Sequence, residues 1–166
     1  MVDRNLTNLE AVALAVRSEM ESTDLYEKLI DRVRNPAVIK ILREMADDEE
    51  QHRQGLMNLY ESMLDGQEPS IPATDGRDKK IVVDPDAEFI DVMKAARDKE
   101  YDSEAFYKNA AERVVDYKTR MFFLDLAESE RRHAESLQEQ VQRLKEDPHW
   151  FDREDAQPFK SIHEGP

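Results

Sequence analysis

The chain has 166 residues, 38 of them acidic and 24 basic, which gives a formal net charge of −14. This length suits one domain with a single core, and the charge repels phosphate backbones, so we expect no nucleic-acid partner. The absence of cysteine excludes disulfides, thiolate catalysis and cysteine-ligated metal centres. The charged opening, MVDRNLTNLEAV, does not resemble a signal peptide, and no apolar run approaches roughly 18 residues. We therefore expect a soluble cytoplasmic protein with no membrane segment.

Four stretches carry apolar residues at alternating steps of three and four, the spacing of one face of an α-helix. Little in the sequence favours strands, so we predict an all-α protein. The apolar stripes run from Val12 to Val33, from Val38 to Met63, from Phe89 to Val114 and from Phe123 to Leu144.

The predicted ends of these helices are marked by capping residues. A capping box of Thr7 and Glu10 opens the first helix, and two later helices have an N-cap residue followed by proline. The remaining starts and stops are marked, in chain order, by Asn35-Pro36, Asp65-Gly66, Asp84-Pro85, Asp116 and Pro148.

The connections predict how the helices are arranged. Short links after the first and third helices indicate two antiparallel hairpins, and the long polar stretch at about residues 64–84 suits a crossover between them. We thus predict a four-helix bundle over residues 1–147 and an irregular tail over 148–166. In that tail we expect no helix of consequence, and we expect His149, Trp150 and His163 at the surface or in a dimer contact.

The two hairpins are copies of one another. Adding 81 to a position in the first half gives its counterpart without a gap, as from Glu19 to Glu100 and from Tyr26 to Tyr107. Two such hairpins packed about a pseudo-twofold axis would bring equivalent residues face to face.

Six polar residues interrupt the apolar stripes. An ionised carboxylate buried without a partner costs several kcal/mol, and no Lys or Arg occupies a stripe position at the same depth. Cations between the acids would make the arrangement tolerable, so we interpret the cluster as a metal site. Its members are Glu19, Glu49, His52, Glu100, Glu130 and His133.

The spacing of these residues favours two metal ions with one histidine each. Each Glu-x-x-His pair places a carboxylate and an imidazole on one helical face, and this donor set suits iron or manganese better than zinc. The predicted bridging ligands are Glu49 and Glu130, the terminal carboxylates are Glu19 and Glu100, and the nitrogen ligands are His52 and His133.

The doubled motif resembles the ferritin-like di-iron carboxylate proteins, most closely the rubrerythrin group. The motif is Glu-x-x-small-x-x-x-Tyr on one helix and Glu-x-x-His on the next, and the resemblance covers about residues 7–146. It implies a ferritin-like bundle with two irons in a homodimer. The matching residues are Glu19, Ser22, Tyr26, Glu49 and His52, then Glu100, Ser103, Tyr107, Glu130 and His133.

Two departures from the rubrerythrin pattern bear on function. Full-length members carry a cysteine-ligated rubredoxin iron domain, and this chain has no cysteine. They also carry an extra carboxylate three residues after the terminal glutamate of the third helix, where this chain has Ser103, with Glu104 one residue further. The resemblance therefore implies six ligands rather than seven, closer to bacterioferritin, and weakens a specialisation for peroxide.

Three residues are candidates to support the ligands. Tyr26 and Tyr107 lie two turns beyond the terminal glutamates, and the resemblance implies that they donate hydrogen bonds to ligating carboxylates; plain aromatic packing is the alternative. Asp48 could accept the ring N–H of an imidazole across the bundle, although its repeat counterpart is Ser129.

The resemblance implies a non-haem di-iron redox protein that reduces hydrogen peroxide or dioxygen as ferrous iron is oxidised, of the peroxidase or ferroxidase type, in defence against oxidative stress. An external electron donor is needed because the sequence holds no second redox centre. Two alternatives stay open: a ferritin-type iron storage or detoxification protein, and a metal-binding bundle without turnover. The sequence does not identify the oxidant or the donor, and manganese or a mixed metal pair would also fit.

Overall fold

The computed structural model describes residues 7–75, 81, 83 and 88–155. Within these ranges the chain forms four long α-helices and one three-residue 3₁₀-helix, and no strand. None of the described helices combines the length and hydrophobicity that a membrane crossing requires. The elements are α1 (Asn8–Ile30), α2 (Pro36–Met63), α3 (Phe89–Arg113), α4 (Tyr117–Glu146) and the 3₁₀-helix Trp150–Asp152.

Three of the predicted helix starts are confirmed by their capping hydrogen bonds. Thr7 and Glu10 form the reciprocal capping box of α1, Asn35 accepts from two backbone amides before Pro36 at the start of α2, and Asp116 accepts from the first turn of α4. These side chains satisfy amides that have no partner within the helix.

The third helix starts differently from the prediction. It begins at Phe89, and its N-cap residue Glu88 makes no side-chain capping hydrogen bond; Asp84 and Pro85 lie outside the described residues. The predicted stops agree with the structure. Asp65 and Gly66, which follow Leu64, the C-cap residue of α2, adopt positive φ, and α4 ends at Glu146, two residues before Pro148.

The helices pair as two hairpins, α1 with α2 and α3 with α4, and α2 also contacts α4. The described part of the crossover is held to α2 by Tyr60, whose hydroxyl donates to the carbonyl oxygen of Ser70 at 3.0 Å. Ile81 and Val83 pack against the core. The predicted four-helix bundle of two hairpins is therefore confirmed.

Two apolar clusters form the core, one towards each end of the bundle. One cluster contains Leu29 of α1 and Met93 of α3; the other contains Val16 of α1 and Phe123 of α4. On every helix, the predicted ligands lie in sequence between residues of the two clusters. The bundle thus has one polar layer, formed by the predicted ligands, between two apolar layers.

The start of the C-terminal tail is part of the core. Phe151 is 4% exposed, and its carbonyl oxygen accepts from the amides of Arg34 and Asn35 at 2.9 and 3.0 Å. Asn35 also donates to the carbonyl oxygen of Trp150 at 2.7 Å. Trp150 is half-buried and donates from its indole nitrogen to Gln140 at 3.0 Å. We expected His149, Trp150 and His163 at the surface or in a dimer contact. His149 is exposed, and His163 lies outside the described residues. The burial around Trp150 was not predicted because a three-residue element has no helical periodicity to indicate it.

Candidate metal centre

The structure brings all six predicted ligands together at the centre of the bundle. The four glutamates are at most 1% exposed, and each helix contributes one of them. The six residues form two overlapping groups in which one ligand atom per residue lies within 4.8 Å of the others. Glu49 and Glu130 belong to both groups; one group adds Glu19 and His52, and the other adds Glu100 and His133.

Both histidines direct the same ring nitrogen towards the acids. Nδ1 of His52 lies 3.0 Å from Oε1 of Glu130, 3.5 Å from Oε2 of Glu19 and 3.6 Å from Oε2 of Glu49. Nδ1 of His133 lies 2.8 Å from Oε1 of Glu49. The two imidazole rings stack beside one another, with 5.9 Å between centroids.

The cluster contains buried polar atoms that make no hydrogen bond with the described residues. The short nitrogen–oxygen distances are not aligned as hydrogen bonds, so these atoms point towards one shared space between the ligands. Leaving one such group unsatisfied costs about 1–3 kcal/mol, and buried polar groups without a partner call for an explanation such as an ion. Carboxylate oxygens with one imidazole in each ligand group fit iron or manganese. The seven atoms are Oε2 of Glu19, both oxygens of Glu49, Nδ1 of His52, Oε2 of Glu100, Oε1 of Glu130 and Nδ1 of His133.

In the absence of a metal, protons provide the charge balance at this centre. Burial raises the pKa of Glu49 well above its usual range, and the charges of Glu19 and Glu100 raise it further. Burial and the charge of Glu49 likewise raise the pKa of Glu130. Although burial opposes their charged forms, the nearby carboxylates raise the pKa of His52 to about 12, and the neighbouring Glu49 and His52 groups lower the pKa of Glu19 to about 2. Metal and protons would compete for these groups.

The two tyrosines cross between the hairpins. Tyr26 of α1 donates its hydroxyl proton to Oε1 of Glu100 on α3 at 2.5 Å, and Tyr107 of α3 donates to Oε1 of Glu19 on α1. Burial, followed by the facing glutamate charge, raises the pKa of each phenol well above its usual range. Both hydroxyls therefore keep their protons and hold the outer oxygens of the two glutamates.

Asp48 contacts only one of the two imidazoles. Its Oδ2 lies 3.1 Å from Nε2 of His133, on the side of the ring away from the glutamates. Asp48 and His133 line a surface cavity of about 200 Å³ between α2 and α4, together with Ile41 and Ser136. The repeat counterparts of these last two residues, Phe122 and Gly55, pack against each other: a Cβ on Gly55 would lie 3.0 Å from the Phe122 ring.

Lys99 is a buried cation that the sequence analysis did not identify. It is 8% exposed, and its Nζ donates to the carbonyl oxygen of Ser18 at 3.2 Å, to Oγ of Ser18 at 3.3 Å and to Oγ of Ser22. Lys99 precedes Glu100, off the apolar stripe, so periodicity gave no signal. The repeat did offer one, because Lys99 is the counterpart of the small residue Ser18.

The position of the extra rubrerythrin carboxylate is occupied by a buried serine. Ser103 is 4% exposed. The following acid, Glu104, pairs with Lys108 one turn further along α3 and belongs to neither ligand group. No seventh carboxylate joins the cluster among the described residues.

The fold and the cluster define a four-helix carboxylate–histidine protein of the ferritin-like class. The chain belongs to the rubrerythrin family, whose family model matches residues 10–141. A solved structure of a hypothetical protein from Pyrococcus furiosus has the same fold, with a TM-score of 0.78 and 21% sequence identity over 86% of this chain and 92% of that one. No curated protein matches the chain.

Proposed function

We propose that the protein is a di-iron redox protein that reduces hydrogen peroxide or dioxygen with electrons from an external donor. The observation that supports this most strongly is the set of seven buried ligand atoms with no hydrogen-bond partner among the described residues. Family membership supports the same reading, since the matching model is that of rubrerythrin. When bound, two ferrous ions would supply two electrons at adjacent positions.

The chain's residues would hold the metals and exclude water. Glu49 and Glu130 belong to both ligand groups and would bridge the ions, while Glu19 and Glu100 would each bind one. The tyrosine hydroxyls hold one oxygen of Glu19 and Glu100, which leaves the other oxygen for a metal. The apolar clusters on both sides give the low dielectric in which anionic ligands favour the oxidised ion.

The reaction balances with two electrons per turnover. Hydrogen peroxide with two electrons and two protons gives two water molecules, and dioxygen with the same supply gives hydrogen peroxide. The chain has no cysteine for an iron–sulfur relay, so we assign the return of electrons to a separate donor. A homodimer and a cytoplasmic location are part of this proposal.

The test is anaerobic reconstitution with ferrous iron, followed by separate exposure to peroxide and dioxygen in a stopped-flow spectrometer. We expect two irons per chain and the loss of one peroxide for every two irons oxidised. A variant with Glu49→Gln and Glu130→Gln should bind neither iron tightly. The matched control, Glu104→Gln, alters a half-buried acid outside the cluster and should behave like the unmodified protein.

Two outcomes would reject the proposal. Iron that binds but is not oxidised by either oxidant within minutes would indicate a metal-binding bundle without turnover. A particle of hundreds of kDa, in place of a dimer of two 19.4 kDa chains, would indicate a ferritin-type cage. Size-exclusion chromatography with light scattering separates the two assemblies.

A further inference from the structure

We propose that the two metal positions are not equivalent, and that Asp48 makes the position beside His133 the tighter one, which fills first. This inference rests on the proposed metal centre and concerns how its two halves differ. Because the two hairpins are repeats of one another, two equivalent metal positions would be expected. A residue near a ligand that differs between the repeats can therefore make the two positions differ.

The ligands themselves do not distinguish the two positions. Each position has one imidazole, one terminal glutamate and the two shared glutamates, and each terminal glutamate accepts a hydrogen bond from a tyrosine of the opposite hairpin. Ligands that lie 81 residues apart therefore have equivalent roles at the two metal positions. The difference must come from groups that touch the ligands from outside.

Asp48 is such a group, and it contacts a ligand of only one of the two metal positions. Its carboxylate lies 3.1 Å from Nε2 of His133. Its repeat counterpart, Ser129, is buried, and no hydrogen bond joins Nε2 of His52 to any residue in the described ranges. The side chain of His52 is correspondingly more exposed, at 13% against 6% for His133.

A carboxylate that accepts a hydrogen bond from Nε2 of an imidazole changes how Nδ1 of the same ring binds a metal. It keeps the proton on Nε2, so that the Nδ1 lone pair of His133 faces the cluster, and it fixes the ring and makes Nδ1 a stronger donor. Removing such a partner typically costs about 10- to 100-fold in metal affinity. Nε2 of His52 has no such partner among the described residues, so the metal beside His52 is bound less tightly.

The experiment is a titration of the metal-free protein with Co²⁺, followed by visible absorption and calorimetry. We expect two resolved steps, the first about 10- to 100-fold tighter than the second. Asp48→Ser makes residue 48 match residue 129, so the first step should weaken by this factor and the ratio of the two constants should fall. The repulsion between two cations that share Glu49 and Glu130 is the same in both proteins and remains. Asp47→Ser removes an exposed charge one residue away and should leave both steps unchanged.

A second readout reports position rather than affinity. With one equivalent of Co²⁺, proton NMR should show one paramagnetically shifted imidazole N–H that exchanges slowly with water, from Nε2–H of His133. Asp48→Ser should abolish this signal, and adding Ser129→Asp to that variant should produce a new one from His52. A merely structural role of Asp48 would not move the signal between rings.

The failure of this inference can be told apart from failure of the metal centre. A first binding step that Asp48→Ser leaves unaltered would overturn the inequivalence assigned to Asp48 and leave the metal centre intact. An absence of tight Co²⁺ binding would overturn the centre itself. Far-ultraviolet circular dichroism confirms that each variant is folded, which we expect because Asp48 is about half exposed.

Discussion

Tyr26 on α1 donates a 2.5 Å hydrogen bond to Oε1 of Glu100 on α3, which joins the two hairpins through one oxygen of a predicted ligand. The bond does two things. It satisfies an acceptor that is completely buried, and it orients the carboxylate so that its other oxygen faces the cluster. Tyr107 makes the equivalent bond to Glu19.

Tyr26→Phe should therefore weaken both folding and metal binding. The variant keeps the ring but leaves a buried carboxylate oxygen without its donor, a loss that costs about 1–3 kcal/mol. We expect the free energy of unfolding to fall by that amount in denaturant titrations of the metal-free protein. Calorimetry should also show weaker binding of at least one metal ion.

Tyr60→Phe is the control for this prediction. It removes a tyrosine hydroxyl that bonds to the crossover carbonyl of Ser70, away from the ligands. It should lower stability modestly and leave the metal affinity unchanged. Equal metal affinities in Tyr26→Phe and the unmodified protein would show that the phenol does not orient Glu100.

The stability of the metal-free protein should fall as the pH rises from about 5 to 9. Burial and neighbouring charge raise the folded-state pKa of Glu49 and Glu130 above 4.5, so their contribution is complete below that pH and is lost above it. The pKa of His52 rises from 6.5 to about 12, so its contribution also declines above pH 6.5. The slope reaches about 1.4 kcal/mol per pH unit for each group that titrates. Glu19, with its pKa lowered to about 2, contributes stability that is complete above pH 4.5 and is lost only as the pH falls towards 2, so it does not affect the slope between pH 5 and 9.

Adding metal should reverse this trend. Metal binding displaces protons from Glu49, Glu130 and His52, so affinity rises with pH. The increase in melting temperature on adding Fe²⁺ or Mn²⁺ should therefore be larger at pH 8 than at pH 5.5, as measured by anaerobic differential scanning fluorimetry. A double variant, Glu49→Gln with Glu130→Gln, should lose most of the pH slope and the metal response together. If it kept the slope of the unmodified protein, these two acids would not be its source.

Lys99→Met should destabilise the protein by about 1–3 kcal/mol, because Ser18 and Ser22 lose a charged donor in a buried location. Chemical denaturation of the metal-free form measures the change. Lys108→Met removes an exposed lysine from the same helix and should alter stability by less than about 0.5 kcal/mol. An unchanged or raised stability for Lys99→Met would mean that desolvation of the ammonium outweighs its hydrogen bonds.

The sequence was sufficient to predict those features that repeat with the helix. Polar residues such as Glu49 and His52 stood out because they interrupt an apolar period, and the 81-residue offset located their counterparts. Helix starts at Thr7 and Asn35 were readable because capping depends on residues close in sequence. The structure then brought the six predicted ligands together, although their roles as ligands stay a prediction.

Other features were not readable because they depend on contacts distant in sequence. Lys99 lies beside the stripe, and only the packing of α3 against α1 shows that it is buried against Ser18. The resemblance implied that Tyr26 and Tyr107 donate to carboxylates of the cluster, as they do, but it did not indicate that each bond runs to the opposite hairpin. For Asp48 the sequence did predict an imidazole across the bundle, and the structure places its carboxylate 3.1 Å from Nε2 of His133 on α4.

Phe151 provides the last prediction, because the tail that contains it had no periodic signal. The ring is 4% exposed and packs edge-on against Phe89, with 4.8 Å between centroids. Phe151→Ala should lower the free energy of unfolding by about 3–5 kcal/mol, the usual range for removing a buried phenyl group. Tyr117→Ala removes an aromatic side chain that is 71% exposed and should have little effect.

Because Phe151 belongs to the core cluster at one end of the bundle, the folded Phe151→Ala variant should still bind the same number of metal ions. A loss of less than about 1 kcal/mol in denaturant unfolding would show that the tail is dispensable to the core.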